Sequence, residues 1–198
     1  MPRPADRPAA LHEHAAENLT FIRDTMERAG SFTAVPGWGG VVMGLIGLAA
    51  AIIAPTQSTP EAWLITWLAA AVVAAAAGLV AVLLKSRAAS VPFFSTPARQ
   101  FALSFSPAIL AGALLTAALW RAGLADLLPG IWLLLYGAAV AAGGTFSIRL
   151  IPLMGIIFLF LGAVALFTPP PAGAICLGLG FGVLHIVFGA LIGWRHGG

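Results

Sequence analysis

The sequence predicts an all-α fold: an integral membrane bundle of six transmembrane helices, preceded by a cytoplasmic amphipathic helix. Three observations carry this. Of 198 residues, 60% are apolar and only 9% charged, where a soluble domain has about 25% charged residues. Six apolar runs approach the roughly 20 residues that a helix needs to cross the hydrocarbon core, and none of them contains Asp, Glu, Lys or Arg. The runs are continuous and rich in Ala and Leu rather than alternating, which argues against membrane strands. Seven acids and ten bases cannot coat a water-facing globule of this length, so an ordinary soluble enzyme and a disordered chain are excluded. A net charge of +3 does not make a nucleic-acid binder either, because the bases lie between the apolar runs and never form a long cluster.

The chain divides into a cytoplasmic segment, residues 1–34, and a transmembrane domain, residues 35–198. Within the first, residues 9–30 read as an amphipathic helix: Leu11, Ala15, Leu19, Ile22, Met26 and Ala29 recur at steps of three and four, with charged residues mostly on the other faces. This stripe has to be buried against the bundle, against a second copy in a homo-oligomer, or against a cytosolic protein partner. Its acids outnumber its bases, which opposes an anionic lipid surface. The first 30 residues hold five acids, four arginines and no apolar core of a signal peptide, so none is expected there.

The spans are expected at 35–54, 62–84, 101–120, 127–144, 150–167 and 172–194. Pro55 to Pro60 break the first from the second; Gly123, Asp126 and Pro129 break the third from the fourth; Thr168 to Pro171 break the fifth from the sixth. The tightest turn, Gly143 to Pro152, parts the fourth from the fifth, since a single helix over 127–167 would overshoot a bilayer about twofold. Val35-Pro36 and Ile151-Pro152 open the first and fifth spans, and Pro55 and Pro169 close them, so the six spans can be grouped as three tandem hairpins.

Orientation follows from the bases. Arg3, Arg7, Arg23, Arg28, Lys85, Arg87, Arg99, Arg149 and Arg195 fall on one side and only Arg121 on the other, which puts both termini in the cytoplasm. Trp38 and Trp194 mark the inner boundary; Trp63, Trp120 and Trp132 mark the outer one. An excess of arginine over lysine, with abundant Ala, Gly and Pro, points to a GC-rich bacterium and hence to an inner membrane.

His185 is the one imidazole well inside a span, and an intramembrane titratable group is a functional candidate. Gly178, Gly182 and Gly189 fall with it at helical spacing, so these four, with the mid-span Tyr136, are the candidate ligand-binding or pore-lining residues. A buried phenol needs a partner, and Thr116, Ser104, Ser106 and Thr66 are available to Tyr136. Gly40, Gly44 and Gly47 on the first span suit close helix contact. Lys85, Arg87 and Arg99, with Phe93 and Phe94 in the same connection, and Arg149 in the tight turn are candidate lipid or anion contacts. The lone Cys176 suits packing, and neither it nor His12 and His14 has metal-ligand spacing. Haem would have only His185 to ligate it, with a second histidine drawn from another chain, and no CxxCH is present. The spans hold no carboxylate for an ion relay, and no nucleophile–base set can be assembled.

The segments Glu17 to Arg23, Met26 to Ala29, Ser31 to Gly37, Leu133 to Gly137, Gly143 to Arg149 and Leu184 to Gly189 carry a resemblance. Over nearly its whole length the chain resembles a family of small, functionally uncharacterised bacterial membrane proteins, often encoded beside winged-helix regulators. The resemblance implies six inner-membrane helices and a hint of regulation, and brings no substrate, cofactor or catalytic residue. The expectation is thus a non-catalytic membrane module, binding or regulatory, in contact with lipids. A channel or facilitator for a small neutral or amphipathic solute, and a structural or haem-bearing subunit of a larger complex, are the alternatives.

Overall fold

The computed structural model describes residues 35–88 and 95–196, together with Asn18. The chain separates into two compact units, Met1–Ser31 and Phe32–Gly198, and the fold set out below belongs to the second. The amphipathic helix expected over 9–30, and Phe93 and Phe94, lie outside the described residues.

Among the described residues the fold is all-helical, with six helices long and apolar enough to cross a membrane. They are α1 (Gly37–Ile53, prolonged by a 3-10 turn, Ala54–Thr56), α2 (Pro60–Ala88), α3 (Thr96–Arg121), α4 (Leu128–Gly144, led in by a 3-10 turn, Ala125–Leu127), α5 (Leu150–Phe167) and α6. The last runs in three stretches: Pro170–Leu177 is α-helical, Gly178–Leu184 is π-helical, and His185–His196 is α-helical again. The largest departures from the expected span ends are two. α2 continues to Ala88 and α3 starts at Thr96, so Lys85, Arg87 and Arg99 stand on helix ends rather than in a surface loop. Bases in the last turn complement the helix dipole, which favours the extension of α2. Ser95 caps α3 by accepting from the Ala98 amide at 3.4 Å, with Pro97 in the first turn.

The centre of the fold is made of two antiparallel helix pairs held by glycine. In one, α1 and α6 approach until Gly37 meets Gly193 and Gly40 meets Gly189; a Cβ on Gly44 would fall 2.7 Å from the Gly182 carbonyl oxygen. In the other, a Cβ on Gly137 would lie 2.8 Å from the Gly155 carbonyl oxygen, and one on Gly155 2.7 Å from that of Gly137. Side chains at these points would force the backbones apart. α6 joins the two pairs, because Gly180 lets Leu133 of α4 and Phe158 of α5 press against its backbone. Leu133, Phe158 and Leu177 are fully buried there.

The closest backbone contacts are α1 with α6 and α4 with α5, which lie between, not within, the hairpins that chain order suggests. Only the second links sequence neighbours, through the turn 145–149, where Thr145 Oγ1 donates to Ala142 O at 2.7 Å and the Phe146 and Ser147 amides close back on Gly143 and Gly144. This turn also settles that 127–167 is two helices.

α2 and α3 flank this core. α2 leans on α1, with Gly78 against Met43 and Lys85 Nζ donating to Val35 O at 2.8 Å. α3 leans on α4, with Phe101 against Gly143 and Thr116 against Trp132. Their outward residues, such as Val72 (70% exposed) and Leu114 (65% exposed), are apolar, which is the surface that lipid selects. The up-and-down order brings Lys85, Arg87, Arg99, Arg149 and Arg195 to one end of the bundle, and Glu61, Arg121 and Asp126 to the other.

The glycine contacts have a measurable consequence. Gly44→Val, which drives a branched side chain into the α6 backbone, is expected to cost about 1–3 kcal/mol or more of overpacking, read as a lowered Tm of the purified protein in detergent. Gly112→Ala, whose Cβ would meet only Leu135 at 3.7 Å, is expected to leave Tm nearly unchanged. Equal effects from the two would contradict the packing described.

Candidate functional site

Two of the sequence candidates meet at the middle of the bundle. Tyr136 lies on α4 beside Gly137, the residue that lets α5 come close, so its ring is placed on the α5 and α6 side. His185 is the first residue after the π-helical stretch of α6 and is 5% exposed. Tyr136 Oη and His185 Nε2 are 2.7 Å apart, a short O–H···N bond. His185 Nδ1 lies 3.3 Å from the Gly180 carbonyl oxygen. A carbonyl only accepts, so the neutral ring carries its proton on Nδ1 and donates to Gly180. Nε2 is then a bare acceptor, and Tyr136 donates to it. Both ring nitrogens are satisfied, as a polar group in an apolar interior requires.

A shell of aromatic rings encloses the pair. Tyr136 lies against Phe158 (centroids 4.9 Å), Phe181 (5.1 Å) and, edge-on, Phe105 (6.0 Å). His185 lies edge-on to Phe158 at 5.5 Å and parallel to Phe181 at 6.2 Å. Four helices therefore contribute: Phe105 from α3, Tyr136 from α4, Phe158 from α5, and Phe181 with His185 from α6. In such a low-dielectric setting a hydrogen bond is electrostatically stronger than in water, and an unpaired partner is costly.

The π-helical stretch, Gly178–Leu184, is the local feature that makes this geometry. Its wider turn, with i→i+5 bonding, changes the register of the residues beyond it. Continuous α-helical spacing would have set His185 on the face shared by Gly178, Gly182 and Gly189. Instead the three glycines face α1: a Cβ on Gly178 would meet Ala51 at 3.1 Å, one on Gly182 Leu48 at 3.2 Å, and one on Gly189 the Val41 amide at 2.6 Å. The His185 ring faces α4 and α5. The glycine groove expected to line a path or a ligand is thus occupied by a neighbouring helix. The π stretch also leaves the Gly180 carbonyl within reach of the side chain five residues on.

The partners expected for Tyr136 are corrected as well. Thr116 Oγ1 donates to Gly112 O at 2.7 Å and accepts from Trp132 Nε1 at 2.8 Å, while Thr66 Oγ1 donates to Ala62 O at 2.8 Å. These hydroxyls are spent on other bonds, and Tyr136 has His185. Of the candidate lipid or anion contacts, Arg87, Arg99 and Arg149 are exposed at the base-rich end, and Lys85 has its tie to Val35 O. Cys176 is buried. Among the described residues no three His, Cys, Asp or Glu side chains gather as a metal set. Sequence reasoning missed Phe105, Phe158 and Phe181. Phe181 and His185, four apart, carried the one usable signal; the others come from distant spans and had none.

No family model, curated protein or solved structure matches the chain.

Tyr136→Phe leaves His185 Nε2 buried without a donor and is expected to cost about 1–3 kcal/mol. Tyr136→Phe combined with His185→Leu removes both partners, and is expected to lose less than the sum of the two single variants in detergent unfolding. Strictly additive losses would show that the two side chains are not coupled.

Proposed function

We propose that this chain is a non-catalytic integral membrane module with a binding or regulatory role, centred on the hydrogen-bonded pair that ties α4 to α6. The observation that carries this reading is the closed state of the pair. Tyr136 and His185 saturate one another inside an aromatic shell. A catalytic pair needs a nucleophile and base open to substrate, and a solute path needs lining atoms that are not already covered. Here the glycine face is filled by α1. A π-helical turn inside an α-helix is a feature often found at functional sites. One bond across two helices beside such a turn is a contact that a ligand or a partner can make or break, shifting the balance between two packings. Ligation of haem by His185 would first have to displace Tyr136 from Nε2.

The same proposal places the protein in a bacterial inner membrane with both termini cytoplasmic. Its support is the gathering of Lys85, Arg87, Arg99, Arg149 and Arg195 at one bundle end, the bias that retains loops in the cytoplasm. Lipids, a second copy, and a cytosolic protein acting through residues 9–30 are the proposed partners.

Reconstitution separates the proposal from a channel. Liposomes holding the full chain are expected to take up glycerol no faster than empty ones, while native mass spectrometry of membrane-extracted protein shows a bound molecule or subunit whose occupancy falls in Tyr136→Phe. Uptake well above that of empty liposomes, and abolished by His185→Ala, would overturn it.

Sidedness is read with single cysteines in a Cys176→Ser background. Ser58→Cys, in the first connection, is expected to react with an impermeant maleimide in intact cells, and Thr145→Cys only once the membrane is opened. The reverse pattern would invert the proposed orientation.

A further inference from the structure

At the base-poor end of the bundle the starts of α2, α4 and α6 enclose a cleft of about 240 Å³ lined by Pro60, Trp63, Asp126, Pro129, Pro170 and Ala174. We propose that this cleft is a binding site for a small organic ammonium group. The inference stands apart from the Tyr136–His185 pair.

Three helix starts converge here, an arrangement that ordinarily favours anions because their first amides point outward unpaired. In this cleft several of those amides are missing or engaged. Pro60, Pro129, Pro170 and Pro171 have no N–H. The Ala62 amide donates to Thr59 Oγ1 at 3.2 Å and the Trp63 amide to Thr59 O at 3.1 Å. The Leu128 amide donates to Ala125 O, and the Ala172 amide to Pro169 O at 3.0 Å. Beside them stand the Asp126 carboxylate, which makes no hydrogen bond or ion pair among the described residues, and the indole of Trp63, whose π face is electron-rich while its Nε1–H is a donor. Trp132 covers one face of that indole, stacked at 5.7 Å and 6°, which leaves the other face free of it. A carboxylate with an indole is the pairing that attracts a methylated or primary ammonium, by charge and by the ring quadrupole. The volume lies below the range of drug-sized pockets and suits a single head group. An anion would be repelled by the Asp126 carboxylate.

The competing account is that Asp126, just before α4, and Glu61, in the first turn of α2, merely offset the dipoles of those helix starts. The two accounts separate by titration. The full chain in phosphatidylglycerol nanodiscs is titrated with tetramethylammonium chloride at constant ionic strength, and with 3,3-dimethylbutan-1-ol as a neutral mimic of choline. Tryptophan fluorescence is expected to change saturably with tetramethylammonium and not with the alcohol. Asp126→Asn is expected to weaken the response at least tenfold, and Ala174→Leu, which fills the cleft, to abolish it; circular dichroism checks that both variants remain folded. A response equal for the alcohol, one unchanged in Asp126→Asn, or no saturation would overturn the proposal. A second arm replaces part of the phosphatidylglycerol with phosphatidylcholine. A fall in apparent affinity assigns the site to a lipid head group, and an unchanged affinity to a dissolved ammonium compound.

Discussion

Close contact of helix backbones through glycine is the constraint on which this structure depends. In hydrocarbon, helices gain nothing by hiding apolar side chains from their surroundings, because lipid is equally apolar. Attraction then comes from dispersion over short distances, which falls away quickly as surfaces separate. Two pairs meet this demand. Gly37, Gly40 and Gly44 of α1 seat against Gly193, Gly189 and Gly182 of α6, and Gly137 of α4 seats against Gly155 of α5. Everything else is arranged around these contacts: α2 and α3, with fewer such points, lie outside and present Val, Leu and Ile to lipid.

The second constraint is that polar atoms inside the bundle have to find partners within it. In the middle of the bundle two sets of groups do this. Thr116 relays between Gly112 O and Trp132, and His185 between Gly180 O and Tyr136. Each arrangement fastens helices as well as satisfying atoms, since one bond in each set crosses from helix to helix. The His185 set is the more consequential, because it uses a backbone carbonyl of the π-helical stretch. The register of α6, the tautomer of the imidazole and the placement of Tyr136 are parts of one geometry, and a change in one disturbs the others.

The two ends of the bundle differ in chemistry. One carries arginines and a lysine on helix ends and in the α4–α5 turn; the other carries Glu61, Asp126 and a ring of prolines at three helix starts. Trp63 and Trp132 connect the second end to the interior. Trp132 stacks on Trp63 and stands one helical turn before Tyr136. A cleft at the surface and a hydrogen-bonded pair in the middle therefore share α4.

Sequence alone determined the six spans, their approximate ends and the clustering of bases, because each depends on a local property: the free energy of placing a given residue in hydrocarbon, summed over a window. It also picked out Tyr136 and His185, since polar groups are conspicuous in apolar runs, and it marked Gly40, Gly44 and Gly47 as contact residues. Only the tertiary structure decided that α1 also pairs with α6, between the hairpins that chain order suggests, because many helices of similar apolarity are interchangeable until backbones meet at particular glycines. Only the tertiary structure turned the His185 ring away from Gly178, Gly182 and Gly189. Helical spacing assumes an unbroken α-helix, and the π stretch beneath His185 is settled by what packs around it: Leu133 and Phe158 pressed against Gly180, and the imidazole held between Gly180 O and Tyr136.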